Sequence, residues 1–354
     1  MMSIGYVLRA WRWILAVAVL VAGAGALGAH LWLGYVRPLA IPEPQVQVRI
    51  ASGASARAIA HAIRAAGVDL NELEFVAVAR TTGATRSLRA GRYAIQQGMS
   101  MRSLVDMIRR GDVMKERLTI AEGTTFHELR EAVDAETELL HQTTGLTDAQ
   151  LLRAIGATQA SGEGLFAPDT YMFDSGSSDL DLYRRAYKMQ ADRIAHAWDA
   201  RAPDLPYHSS YDALIMASLV EKETGQADER RRIAGVFVNR ERLGMPLQTD
   251  PSVIYGLGDR FEGHLHHKDL ATDTPYNTYV RPGLPPTPIA LPGEAAIEAA
   301  LHPETTGDLY FVARGDGTSE FSSTLAAHQR AVDRYQKPAA KNAAGARRPA
   351  PVPR

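Results

Sequence analysis

The sequence predicts an α+β protein hung on one N-terminal transmembrane helix, with a small βααβ module followed by a larger mixed α+β domain. Three observations predict it. An unbroken apolar run fills residues 13–36. A strand signal, a glycine turn and a capped helix recur three times before residue 134. A continuously apolar helix at 213–220 ends in two glutamates.

The apolar run, WILAVAVLVAGAGALGAHLWLGYV, is long enough for a bilayer, which needs about 20 such residues. Arg9 and Arg12 precede it, and only Arg37 follows closely. That asymmetry puts residues 1–12 in the cytoplasm and the rest of the chain outside. Trp11, Trp13, Trp32 and Tyr35 mark the two ends, where interfacial aromatics belong. A cleaved leader has an apolar core of about 7–15 residues. This run is longer and shows no clear small-x-small cleavage site, so an anchor is favoured. His30 reads as an interfacial residue rather than a proton relay.

Residues 37–45 carry three prolines and read as a stiff linker. After it, Val46, Val48 and Ile50 alternate as a strand does. Ile50, Gly53, Ser55, Ile59 and Ile63 then match Ile120, Gly123, Thr125, Leu129 and Val133. A third copy uses Gly98, Ser100, Leu104 and Ile108. Each copy reads as a strand, a glycine turn and a helix capped by Ser or Thr. Thr125 with Glu128 forms a capping box. The copies are unevenly spaced, which argues against a solenoid.

Residues 134–160 look helical, through Leu139, Leu140, Leu151, Leu152 and Ile155. Residues 182–198 form an amphipathic helix with Tyr183, Ala186, Met189, Ile194 and Trp198 on one side. Residues 337–354, rich in Ala, Pro and basic side chains, read as a disordered tail.

The chemistry points to residues 212–250. A helix apolar all round is a buried one, and Glu221 continues the face of Leu214, Ala217 and Ser218. A carboxyl at the edge of a core has its pKa raised and can act first as acid, then as base. By itself, a glutamate at a helix end is more often an ordinary carboxylate. Glu223 faces either water or a neighbouring loop. A second helix follows at 228–243, with Ile233, Val236, Phe237 and Arg240 on one side and Gly244 ending it. Asp250 before Pro251 reads as the cap of a short helix, which puts Gln248 and Thr249 on a rigid loop. Further on, TPYNTY offers aromatic and amide groups suited to sugars, beside a proline-rich wall.

A net charge of −1 gives no electrostatic reason to expect a nucleic-acid partner. The absence of cysteine excludes disulfides, thiol nucleophiles and thiolate metal sites. His264, His266, His267 and Asp269 do not follow a specific ligand spacing and read as a polar loop.

Taken in order, VEKETG, AGVFVNRERLGMPLQTDPSVIYGLG, TPYNTY, GLPP and LYFVA, with EGLFAPDTYMF earlier, resemble the MltG (YceG-like) family of endolytic peptidoglycan transglycosylases. Residues 46–113 resemble a LysM-like module, a βααβ fold that binds GlcNAc-containing glycans, and residues 114–336 a YceG-like catalytic domain. The chain departs from the family at Thr287, Leu291 and Ser319, where Gly, Asn and His are common.

The resemblance implies that Glu221 is catalytic. It implies substrate-binding roles for Gln248, Thr249, Asp250, Tyr255, Tyr276 and Asn277. Glu163, Asp169 and Tyr171 are expected either to support the site or to hold the domain together. It further implies a bacterial inner-membrane enzyme, its catalytic domain outside the cytoplasm, acting on nascent glycan strands without metal or cofactor. Membrane peptidoglycan synthases are natural partners. The implied reaction cleaves the MurNAc–GlcNAc β-1,4 bond and leaves a 1,6-anhydroMurNAc end. Two alternatives stay open: a hydrolase using Asp250, Glu223 or Asp169 to activate water, and a non-catalytic wall-binding protein.

Overall fold

The computed structural model describes residues 4–336, so the expected disordered tail at 337–354 lies outside the described residues. The described residues form a mixture of helices and three small two-stranded sheets, and they divide into two compact units.

The first unit holds residues 4–117, 138–140 and 172–177. It starts with helix α1 (Ile4–Val36), 33 residues over the apolar run of the sequence. Among the described residues, no helix is both long and apolar enough to cross a membrane. The side chains at 4–10, 12, 14, 16, 27 and 30–34 are not described, so the described part of α1 is shorter than that run.

Next come β1 (Gln45–Ile50), α2 (Ala56–Ala65), α3 (Glu72–Thr81), β2 (Gly91–Gln96) and α4 (Met101–Arg110). The strands β1 and β2 pair antiparallel, Val46 opposite Ile95 and Val48 opposite Tyr93. The alternating Val46, Val48 and Ile50 face inward, onto Ile59, Ile63, Phe75, Leu104 and Ile108. Element order across 46–113 is thus β–α–α–β with a further helix, α4. The carboxylate of Glu138, 8% exposed, accepts from the Ser175 hydroxyl at 2.5 Å and pairs with Arg49 and Arg92. A buried charge needs such partners, and they tie 138–140 and 172–177 into this unit.

Strand β3 (Lys115–Thr119) pairs with β4 (Thr170–Asp174), and the chain passes between the units along both. The second unit contains α5 (Phe126–Asp134), α6 (Asp148–Ile155), α7 (Asp179–Asp199), α8 (Ser210–Glu223), α9 (Arg230–Arg242), α10 (Asp250–Leu257), α11 (His267–Leu270), α12 (Glu294–Leu301), β5 (Tyr310–Ala313), β6 (Ser319–Ser322) and α13 (Leu325–Tyr335). Helix α8 is the spine. Every residue from Ala213 to Val220 is buried, as its uniform apolarity requires, and α7, α9, α10 and α12 pack around it.

All three sequence repeats take the expected form. Gly53, Gly98 and Gly123 have φ of 73°, 88° and 75°, a region that side-chain-bearing residues enter only with strain. Ser55, Ser100 and Thr125 cap the helices that follow, and Thr125 and Glu128 form the capping box.

Two local expectations need correction. Of residues 134–160 only Asp134, which ends α5, and α6 are in α-helix. The stretch before it is held open by Asp179, wholly buried, whose carboxylate accepts from the Gln142 and Thr143 N–H groups and the Thr143 hydroxyl at 2.6–3.0 Å. The cap of α10 is Thr249, not Asp250; Asp250 is already helical, and its carboxylate accepts instead from the Tyr279 hydroxyl at 2.6 Å. On α7, the inward face carries Leu182, Tyr183, Ala186 and also the polar Gln190, which donates to the carbonyls of Gly164 and Pro292.

Candidate active site

Glu221 stands in the last turn of α8, where the apolar stretch stops. Its side chain is only 6% exposed. Oε2 accepts the backbone N–H of Gly293 at 2.9 Å, and the Arg230 guanidinium approaches Oε1 to 3.9 Å. Arg230 is 13% exposed, and its buried Nε has no hydrogen-bond partner among the described residues. Lys222 reaches the other way, donating to the Gly123 carbonyl at 3.2 Å.

Burial pushes the Glu221 carboxyl above its ordinary value, and the charge of Glu122 adds to that. The Gly293 N–H, Arg230 and Lys222 act against it. The same carboxyl therefore has groups that favour its protonated form and groups that receive its ionised form. That balance suits a residue that must donate a proton and then recover one.

The strap that delivers Gly293 is the proline-rich segment before α12. It is non-helical, as its prolines dictate, and lies along α8: the Ile289 N–H donates to the buried Ser218 hydroxyl at 3.0 Å. Leu291 exchanges backbone hydrogen bonds with the Gly123–Thr124 turn at 2.9 and 2.7 Å. The family departure at Leu291 falls on a wholly buried side chain.

The six other expected site residues fall into three places. Gln248, Thr249 and Asp250 come together where the loop enters α10, beside Glu223. Arg240 fixes that loop by donating to the carbonyls of Pro246 and Leu247 and to Gln248 Oε1 at 2.8–3.2 Å, and Thr278 holds it from the other side. Gln248 has φ +53°, a strained conformation for a residue with a side chain. Glu223 is half-buried, and burial pushes it up to about 7; the Thr249 hydroxyl and Arg240 oppose the rise, while Asp250 adds to it.

Tyr255 and Tyr276 form a second group, packed edge to face at 4.8 Å. The Tyr255 hydroxyl donates to Glu163 Oε2 at 2.9 Å. Tyr276 meets Thr287 at 3.0 Å, so the departure from glycine at Thr287 gives this tyrosine a partner. Glu163 is 3% exposed and also accepts the Phe126 N–H. Burial pushes it up to about 7 despite these donors.

Asn277 is placed differently. Wholly buried, it donates to the carbonyls of Leu270 and Thr272 at 3.0 and 2.7 Å and accepts from the Tyr279 N–H. Its amide is spent on holding a loop. Asp169 pairs with Arg193 of α7 at 2.8 Å, and the buried Tyr171 hydroxyl donates to the Ala167 carbonyl at 2.7 Å. The segment with His264, His266 and His267 leads into α11, where Asp269 accepts the His266 N–H; no cluster fit for a metal ion occurs among the described residues.

Sequence reasoning missed the groups nearest Glu221. Gly293 and Glu122 are distant from it in the chain, and Arg230 lies across the turn into α9, where no motif singles it out.

A buried carboxyl with a raised pKa stands at the end of an apolar helix, strapped by a proline-rich segment. A profile of the YceG-like family matches residues 48–334, and the chain belongs to that family. It is similar to an endolytic murein transglycosylase of Bacillus subtilis strain 168, 32% identical over 307 residues, which covers 82% of this chain and 84% of that protein. A protein of the same description from Streptococcus pneumoniae serotype 2 is 28% identical, covering 84% of this chain and 60% of its own length. The crystal structure of a yceG-like protein from Listeria monocytogenes matches with a TM-score of 0.53 at 30% identity, over 81% of this chain and 98% of that one.

Proposed function

We propose that this chain is an endolytic murein transglycosylase with Glu221 as its acid/base. The observation that carries the reading is the enclosed Glu221 carboxyl, raised by burial and held by a single backbone N–H. The protonated carboxyl donates to the oxygen leaving MurNAc C1, and the C1–O bond to GlcNAc breaks. Positive charge develops at C1. The ionised Glu221, now met by the Gly293 N–H and Arg230, takes the proton of the MurNAc 6-hydroxyl. That oxygen bonds to C1 and closes the 1,6-anhydro ring. No water is consumed, so a pair of carboxylates at glycosidase spacing is not required.

In this reading Gln248 and Asp250 form a polar edge for the sugar, with Thr249, 1% exposed, holding the loop rather than meeting it, and Tyr255 and Tyr276 form an aromatic edge. The apolar run at 13–36 anchors the chain in the inner membrane with its catalytic domain outside the cytoplasm. The βααβ order of the first unit supports a LysM-like glycan-binding role. Cutting close to the membrane limits the length of nascent strands, with peptidoglycan synthases as neighbours. Failure of every synthase to crosslink to the chain in membranes would remove that last element.

The test is mass spectrometry of products from purified peptidoglycan incubated with the full chain in detergent, beside Glu221→Gln. Anhydro-ended fragments from the parent alone are expected. Reducing-end fragments would make the protein a hydrolase, and equal products from both proteins would remove Glu221 from the chemistry.

A further inference from the structure

One carboxylate outside the Glu221 helix acts on it through its charge, and the mechanism above leaves that group idle. Glu122 precedes the Gly123 turn, and that turn is pinned by the Leu291 backbone on one side and Lys222 on the other. A Cβ built on Gly123 would lie 3.8 Å from Glu221 Cγ, so the turn packs directly against the catalytic side chain. On the far side of the strap, a Cβ on Gly293 would overlap the Glu122 carboxyl. Gly293 is in ordinary extended conformation, φ −74°, so nothing in its backbone calls for glycine. A methyl there would meet only the end of the exposed Glu122 side chain, which would have to swing aside. Two carboxylates thus share one glycine: Glu221 takes its N–H, and Glu122 rests against its Cα.

We infer that Glu122 is a positioning residue for the acid/base, its carboxylate lodged on Gly293 so that it both seats the N–H that holds Glu221 and presents a like charge to it. The inference rests on Glu221 being the acid/base. The groups that face Glu221 are Glu122 from the turn before α5, Arg230 from α9, Lys222 from its own helix and the Gly293 N–H from the start of α12. Glu122 is the one among these charges that favours the protonated form. Glu294, first in α12, lies with Glu122 along a groove of about 1120 Å³ between α7 and α12, which leaves the Glu122 side chain open to water. A resting enzyme needs the proton on Glu221 before the glycosidic oxygen arrives, and a neighbouring negative charge supplies that preference.

The experiment is the pH dependence of kcat/KM for full-length parent, Glu122→Gln, Glu122→Asp and Gly293→Ala, read as anhydro-ended product. Removing the charge lowers the value at which Glu221 loses its proton. The alkaline limb of Glu122→Gln should therefore move down by about 0.5–1 pH unit, a roughly three- to tenfold lower rate on that side. Gly293→Ala, whose methyl displaces the Glu122 carboxyl, should move it the same way, and Glu122→Asp should keep it near the parent. An unchanged limb in folded Glu122→Gln overturns the inference. So does complete inactivity of that folded variant at every pH, which would make Glu122 a direct participant. Should Glu122→Gln not fold, Gly293→Ala decides on the same criterion. Activity surviving in Glu221→Gln would instead remove the acid/base reading itself.

Discussion

Gly293 donates its backbone N–H to Glu221 at 2.9 Å, and Gly293 is also the N-cap of α12. The carboxyl therefore sits at the positive end of a helix, where an ionised form gains from the dipole as well as from the bond. Burial pulls the opposite way. The site is tuned by opposition, and the variants below separate its parts.

Glu221→Gln should keep the structure and lose the chemistry. The amide oxygen can still accept the Gly293 N–H, and a neutral side chain is easier to bury than a carboxylate. The melting temperature should hold or rise slightly, while turnover falls by about 10²–10⁴-fold, as expected on loss of a general acid/base. Calorimetry and product analysis on one preparation check both halves.

Glu163 makes stability pH-dependent in a definite direction. Its folded-state value is raised from 4.5 to about 7, so the folded chain holds a proton that the unfolded chain has released in that interval. The stabilisation is complete below about 4.5 and is lost as pH rises through about 7. At about 1.4 kcal/mol per unit, the loss is on the order of 3–4 kcal/mol. Glu163→Gln should flatten the decline of melting temperature between pH 5 and 8, leaving the part due to Glu223. A slope equal to the parent's would refute the assignment.

Asn277→Asp should destabilise strongly despite its near-identical shape. It replaces a donor that serves the carbonyls of Leu270 and Thr272 with an acceptor facing them. Leaving such buried groups opposed costs about 3 kcal/mol or more. A urea midpoint close to the parent's would show that the amide is not committed to this loop.

Thr125→Ala should cost about 1 kcal/mol, because the Glu128 N–H loses the hydroxyl that accepts it while the Thr125 backbone N–H still donates to the Glu128 carboxylate. The cap follows directly on the Gly123 turn that packs on Glu221. The variant should therefore also lower kcat modestly, with KM less affected.

Much of this was legible in the sequence because local rules carried it. A stretch as uniformly apolar as 213–220 has one place to go, and all eight of its residues are buried. The three glycine turns and their Ser or Thr caps follow from steric limits that act within a few residues. What failed depended on partners far along the chain. Residues 135–147 carry leucines at helical intervals, but Asp179 captures their backbone N–H groups. Asp250 has every local credential of a cap, but Tyr279 takes its carboxylate. Asn277 looked like a sugar ligand because residue type alone does not reveal that its donors are already engaged. Gly293, Arg230 and Glu122 meet Glu221 only through tertiary packing, which no spacing rule encodes.

The Glu138 carboxylate also bears on the order in which the molecule can be built. The first unit ends its main stretch at residue 117 but incorporates 138–140 and 172–177. As the chain is synthesised from its N-terminus, Arg49 and Arg92 emerge long before the carboxylate and the Ser175 hydroxyl that complete their arrangement. Roughly 60 more residues must follow residue 117, a wait of about 3–12 s at about 5–20 residues per second. During that interval the first unit is an open clasp, and a ribosome stalled between residues 117 and 172 would leave it unfastened.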